Sequence, residues 1–318
     1  MKKIISLALV VVLALAAFAF VACDNKEETP ADDTPSEKTY NLAIGVVVNN
    51  NNTKATSTET VAAIVTDADG KIVLCRVDCI EYAALSKAGE FSTTAPTSKV
   101  AQGDNYSMPA GSWATQVKAL EKYVVGKTQA EVATVAAEGY AADAELKASC
   151  SFNIADLVKA IDNAFKSEHK VTFTSTATAF TAGLSATGSV KDTSEESVNN
   201  AEFTADFAAA ILADGKVVAA ILDTAEVVVS NVTEEGAESI AFKDNNNGAT
   251  GTKREQGDKY AMTSGAWFTQ ADAYAKSAIG KTASDIATLA TEGVAGCTMP
   301  YSTFSFKAGL EAAVKAAR

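Results

Sequence analysis

Histidine is almost missing from this chain: His169 is the only one among 318 residues. A single imidazole excludes every multi-histidine metal site and leaves room for Ser-His-Asp or Cys-His catalysis at one place at most. Aromatic residues are few (7%), and tryptophan occurs twice, so packed cores must come largely from the abundant Ala, Val and Thr. The five cysteines contain no Cys-x-x-Cys spacing, which removes a common zinc and redox pattern. Cys75 and Cys79 lie four apart on an expected strand, on one face but too distant along it to bridge each other. With Cys150 and Cys297 they read as buried free thiols, the alternatives being disulfides or a metal site. None of these four takes the same position in both halves of the chain. Basic residues are short too, with 27 Lys and Arg against 39 Asp and Glu, a formal charge of −12. Phosphate backbones and anionic headgroups repel so acidic a surface, which argues against nucleic acid and against peripheral membrane binding.

Long apolar runs are confined to the N-terminus. Lys2 and Lys3 precede the hydrophobic stretch Ile4 to Phe20, and Phe20-Val21-Ala22-Cys23 closes it with a small residue before a cysteine. Charged, proline-bearing sequence follows at once, so residues 1–23 read as a secretory signal and not a spanning helix. The closing segment resembles a bacterial lipobox. That resemblance implies an acylated Cys23 whose chains enter the bilayer, anchoring the protein to the outer face of a membrane of the cell envelope. Residues 24–39, acidic and carrying Pro30 and Pro35, read as a disordered tether.

What the rest of the chain has in plenty is self-similarity. Residues 99–128 (KVAQGDNYSMPAGSWATQVKALEKYVVGKT) and 253–282 (KREQGDKYAMTSGAWFTQADAYAKSAIGKT) align without a gap at an offset of 154 (253 − 99). They share Lys99/Lys253, Gln102/Gln256, Gly103/Gly257, Asp104/Asp258, Tyr106/Tyr260, Met108/Met262, Trp113/Trp267, Gln116/Gln270 and a closing Gly-Lys-Thr. Both tryptophans thus occupy one equivalent position, the mark of an internal duplication.

Each half opens with strands. Tyr40, Leu42, Ile44, Val46 and Val48 alternate with other residues, and Val61 to Val65 and Ile72 to Ile80 flank an Asp-Gly hairpin signal at Asp69-Gly70. Phe203 to Leu212, Asp214-Gly215 and Val217 to Val229 repeat the pattern 145 residues on (215 − 70), so the second half carries nine extra residues (154 − 145) around Asp244 to Gly248. Trp113, Val117, Leu120 and Val124 then fall on one helical face. Gly126-Lys127-Thr128 lacks the upstream glycine of a phosphate loop, Glu121 standing there. The better reading is a left-handed helix end at Gly126 and a cap at Thr128 with Glu131, repeated at Thr282 with Asp285. Final helices are expected at 154–165 and 307–317. The fold class is therefore α+β, as two tandem repeats (40–168 and 169–318), each an antiparallel sheet followed by helices. The Val171/Phe173 alternation places the joint in the second sheet.

The order Asp-Gly-Lys, Lys-x-x-x-Gly-Asp-x-Tyr-x-Met, Trp-x-x-Gln, Gly-Lys-Thr and a serine-bearing segment before a terminal helix resembles the FMN-binding domain family, especially its membrane-anchored lipoproteins. In flavin-carrying members, a Ser/Thr-Gly-Ala-Thr motif before the last helix takes FMN on its final threonine. Here that place reads Ser149-Cys150-Ser151-Phe152 and Ser302-Thr303-Phe304-Ser305, a strand-to-helix turn without the motif. Ser264-Gly265-Ala266 is followed by Trp267, and Thr250, after Gly248-Ala249, is the one other candidate acceptor. The expectation is no covalent cofactor, with reversible FMN binding as the residual possibility.

Lys99, Asp104, Tyr106 and Trp113, with Lys253, Asp258, Tyr260 and Trp267, are the candidate ligand-binding residues. An acid and a tyrosine beside an indole can hold a ring or sugar. The alternative is that Asp104 caps the tryptophan helix, the aromatics are core, and each lysine pairs with its aspartate. The functional reading is a non-catalytic binding or structural lipoprotein whose partner is a protein or small molecule. A flavin-carrying electron-transfer lipoprotein is the alternative. An enzyme ranks last, because neither half supplies a nucleophile–base pair.

Overall fold

A computed structural model describes residues 36–51, 56–83, 94–177, 179–193, 200–230, 241–244 and 251–318. Cys23, the signal, most of the expected tether and Thr250 lie outside these described residues. Glu37–Arg318 forms one compact unit, of α+β class with antiparallel sheets.

Strands β1 (Lys38–Asn51), β2 (Thr56–Thr66) and β3 (Ile72–Ala83) lead into a short α1 (Lys99–Gln102), the tryptophan helix α2 (Trp113–Val124) and α3 (Gln129–Val132). A small hairpin of β4 (Ala136–Ala137) and β5 (Tyr140–Ala141) precedes α4 (Ala144–Ser149) and α5 (Ala155–Lys166). After β6 (Val171–Ser175) come β7 (Thr181–Asp192), β8 (Asn200–Ala213), β9 (Lys216–Ser230) and β10 (Ala241–Asp244). A second small hairpin, β11 (Ala261–Met262) and β12 (Gly265–Ala266), precedes α6 (Trp267–Lys276), α7 (Ala283–Ile286) and α8 (Pro300–Ala316).

The strands make two four-stranded sheets, in the orders β3-β2-β1-β6 and β10-β9-β8-β7. They pack face to face. Tyr40, Leu42, Ile44, Val61 and Val65 from one sheet share a core with Phe203, Phe207, Ile211, Ile221 and Val227 from the other. Helices α2 and α5 cover the outer face of the first sheet, and α6 and α8 that of the second. Both faces of each sheet are therefore buried, which explains runs such as Ala208-Ala209-Ala210-Ile211, where alternation fades. Glu59 shares the inner face of β2 with Val61, fully buried and without a hydrogen bond of normal geometry. Burial drives its pKa well above the usual carboxylate range, which the neighbouring Tyr82 offsets only in part.

Two expectations need correction here. Strand β6 pairs with β1, with Phe173 opposite Tyr40, so the joint belongs to the first sheet and not the second. Contact with the Tyr40 ring on the inner face, a 5.5 Å stacked pair, holds it there. Strand β7 adds to the expected strands, its small residues (Ala182, Gly183, Ser185) carrying little strand signal in the sequence. They are small because α8 lies against them.

The turns and caps follow the sequence closely. Gly126 and Gly280 have φ of 83° and 76°. Thr128 with Glu131 and Thr282 with Asp285 both form capping boxes. The Gly-Lys pairs are stitched to strands: Gly126 N–H donates to the Ile72 carbonyl at 2.7 Å, and Gly280 N–H to Val217 at 2.8 Å. Gly126 follows the end of α2 and Gly280 closes the turn after α6, each as a left-handed stop and not as part of a phosphate loop.

Candidate functional site

Strands β3 and β9 each carry an aspartate and, three residues on, a glutamate. Asp78 points to the inner face and gathers the chain as it returns: Ser98 Oγ donates to it at 2.7 Å and the Val100 N–H at 3.0 Å. Asp223 receives Thr252 Oγ1 at 2.7 Å and the Arg254 N–H at 3.1 Å in the same way. Each clamp fixes the lysine between its two donors over the outer face of the sheet. Lys99 Nζ reaches Glu81 Oε1 at 2.8 Å and stands 4.9 Å from the centre of the Tyr106 ring and 5.8 Å from that of Trp113. Tyr106 donates to the other Glu81 oxygen at 3.2 Å. Lys253 pairs with Glu226 and lies 5.3 Å from the centre of the Tyr260 ring.

The structure thus brings together Lys99, Tyr106 and Trp113, and likewise Lys253 and Tyr260, but leaves Asp104 and Asp258 out. Both aspartates are exposed, in short 3₁₀ turns opened by Gly103 and Gly257, each with φ of 55°. The expected Lys99–Asp104 and Lys253–Asp258 pairs are replaced by Lys99–Glu81 and Lys253–Glu226. Neither aspartate caps the tryptophan helices, whose N-caps are Ser112 and Ala266. Sequence reasoning missed Asp78, Glu81, Asp223 and Glu226. Their signal was the repeated Asp-x-x-Glu at the end of each Asp-Gly hairpin, at the same 145-residue offset as the turns (226 − 81).

Electrostatics tie these groups to one another. Burial works against the Lys99 ammonium, but Cys79, Glu81 and Tyr106 outweigh it and hold its pKa above the ordinary lysine value. Burial raises Glu226, and Lys253 offsets part of that rise. The Cys79 thiol is pushed up to about 12 by burial, and Cys150 to about 11, so both stay protonated and unreactive. Among the described residues no group of three or more His, Cys, Asp or Glu is placed to hold a metal.

Behind Lys99 and Trp113 lies a cavity of about 250 Å³ whose wall includes Asn49, Thr58, Thr60, Asn153 and Asp156. On the other side of Glu81 and Tyr106 a groove of about 670 Å³ is lined by Tyr82, Thr97, Gln102 and Asn105, closed by Val190 from the facing sheet. The cavity falls below the roughly 300–1,000 Å³ usual for cofactor sites. The groove is roomier but has Glu81 and no lysine or arginine in its described lining. Neither suits a phosphate-bearing flavin.

The expected attachment points are also not strand-to-helix turns. Ser302 to Ser305 lie inside α8, and Ser151 follows α4. Ser151 donates its N–H and its hydroxyl to Gln116 Oε1 at 2.9 and 3.0 Å. Thr298 does the same to Gln270, both at 2.9 Å. The counterpart of Ser151 is therefore Thr298 and not Ser302, and their predecessors Cys150 and Cys297 occupy equivalent places. A gapless alignment hid this, since the second half is seven residues shorter here (154 against 298 − 151 = 147). All four described cysteines are free and buried.

No protein-family model matches the chain, and no curated protein or solved structure matches it.

The two aspartate clamps make stability depend on pH. Burial lifts Asp78 to about 6 and Asp223 to about 7, against the Arg254 charge beside Asp223 and hydrogen bonds that lower both. A folded-state pKa above the unfolded value means that the folded protein keeps protons the unfolded chain releases. Stability is then greatest on the acid side and falls as pH rises from about 4 towards 7, by about 1.4 kcal/mol per unit for each group held protonated. Asp78→Asn and Asp223→Asn should flatten this slope in chemical unfolding measured from pH 4 to 7. A wild-type curve that rises over that range would contradict it.

Proposed function

We propose that this protein is a lipid-anchored, non-catalytic binding protein of the cell envelope, built from two copies of one module. The duplication is supported by contacts that recur pair by pair: the aspartate clamps, the Lys–Glu pairs, the Gln116 and Gln270 bridges, the Gly-Lys stitches and the capping boxes. The first module then runs through β6, and the boundary falls after Ser175.

The observation that carries the binding reading is the Lys99–Glu81–Tyr106–Trp113 constellation beside a cavity walled by hydroxyls, amides and the Asp156 carboxylate. The Lys99 and Glu81 charges neutralise each other, and the carboxylate left on the wall, Asp156, accepts a hydrogen bond from Asn49 Nδ2 at 3.3 Å. Hydroxyls and amides beside two aromatic rings suit a small neutral polar ligand, such as a polyol or sugar, better than an anion. The second module has the same frame but places Asp206 and Thr224, hydrogen-bonded at 2.6 Å, where the first has Thr60 and Cys79.

The test uses the Trp267→Phe variant, in which Trp113 is the only fluorophore of its kind. Titration with a panel of monosaccharides, polyols and FMN should quench or shift its emission with a neutral ligand and not with FMN. A response to FMN, or an added mass of one FMN after expression in the native host, would favour the electron-transfer reading. No response to any neutral ligand would remove the site. Replacing Cys23 by Ser should move the protein from the membrane fraction to the soluble one, and unchanged fractionation would refute acylation.

A further inference from the structure

We infer that the end of the folded unit bearing the start of β1 is a membrane-docking surface, with both Lys–Glu sites held at the opposite end; this rests on the proposed acylation of Cys23. Topology supplies the direction. The covalent link to Cys23 enters at Glu37, and only residues 24–36 intervene, at most about 45 Å when fully extended. Strand β3 runs parallel to β1, since both are antiparallel to β2. Glu81 lies nine residues beyond Ile72, about 30 Å along the strand, and Glu226 lies nine beyond Val217. The two halves point the same way: only five residues separate β6 from β7, and Phe180 packs edge-on against Tyr40 at 5.0 Å.

The anchor end has its own chemistry, built twice. Val125 and Ile279, at equivalent positions, are 47% and 45% exposed. Each precedes a Gly-Lys pair stitched to the start of β3 or β9, at Ile72 or Val217, which keeps the aliphatic side chain turned outward. Lys38, Lys71 and Lys216 are exposed at the same end, with Lys127 and Lys281 half-buried. Several acids there are committed inside the protein: Asp67 to the Asp69 and Lys71 N–H groups, Glu131 and Asp285 to their capping boxes, and Glu37 to Thr174. Asp69 and Asp214 remain at the turn tips. Aliphatic side chains flanked by lysines are the chemistry of a bilayer interface. The chain as a whole is too acidic to bind lipid by charge, but a short covalent tether supplies the local concentration that weak docking requires.

The test uses the full acylated protein, reconstituted into vesicles of phosphatidylethanolamine and phosphatidylglycerol. Val125→Cys, Ile279→Cys and Asp104→Cys variants are spin-labelled one at a time, the four native thiols of the folded unit being buried. Docking predicts that labels at 125 and 279 are several-fold less accessible to a water-soluble relaxant than the label at 104, and that detergent abolishes the difference. Floating protein with all three labels equally accessible overturns the docking and leaves the anchor standing. Protein that fails to float removes the anchor and the docking with it. Spin–spin coupling between labels at 125 would instead assign this end to a second copy of the chain and overturn the lipid proposal.

Discussion

Trp113→Ala and Trp267→Ala are each expected to lower stability by about 3–5 kcal/mol, the scale for deleting a large buried aromatic. The indoles are 3% and 1% exposed at the first positions of α2 and α6. Trp113 lies against Phe152, with ring centres 5.8 Å apart, and Trp267 against Phe306 at 5.5 Å. Each belongs to the core under its own helices, so truncation leaves a cavity that main chain on both sides prevents from closing. Trp267→Phe should cost far less, because the Trp267 indole N–H is buried without a hydrogen-bond partner and loses none. Urea unfolding of the three single variants decides this. Alanine variants within about 1 kcal/mol of wild type would show that the indoles are not core residues.

Gly183→Ala and Gly45→Ala should be as damaging, for the opposite reason. A Cβ at Gly183 would stand 1.7 Å from the Ala313 carbonyl oxygen of α8, and one at Gly45 would stand 2.2 Å from the Ala160 carbonyl oxygen and the Ala164 nitrogen of α5. Overpacking usually costs about 1–3 kcal/mol because side chains can move aside; here the obstacle is helix backbone, so the cost should reach or exceed the top of that range. Gly183→Ala, with the closer approach, should be the worse of the two, by thermal unfolding or by loss of soluble protein. A Gly183→Ala variant as stable as wild type would mean that α8 rides higher over β7 than the structure shows.

These two pairs separate what was legible from what was not. Trp113 and Trp267 announced themselves by register and by a 3.6-residue apolar stripe, because the helix period and the capping residues are local properties. The same holds for the capping boxes, the left-handed glycines and the Asp-Gly hairpins, whose geometry is decided within a few residues. Gly45 and Gly183 gave no such sign. Their role depends on helices more than a hundred residues away. Strand β7 was silent for the same reason: its small residues suit the helix above it and not an isolated strand.

The candidate site divides along the same line. Lys99, Tyr106, Trp113 and their counterparts stood out as a repeated block, but their partners did not, since Glu81 and Glu226 come from strands before a long connection. Asp104 is the nearest acid to Lys99 in sequence and the mate that a local reading assigns it. The structure instead turns it to solvent, because Asp78 clamps Ser98 and Val100 and thereby aims the lysine at Glu81. By itself, the sequence determined the α+β class, the helix and turn boundaries near the shared block and the recurrence of that block, all set by local periodicity and side-chain chemistry. Only the tertiary structure decided that the sheets bury their inner faces against each other, that β6 joins the first sheet, and which acid meets each lysine. Those outcomes depend on contacts between distant segments, whose cost in chain entropy is met only when the whole core forms.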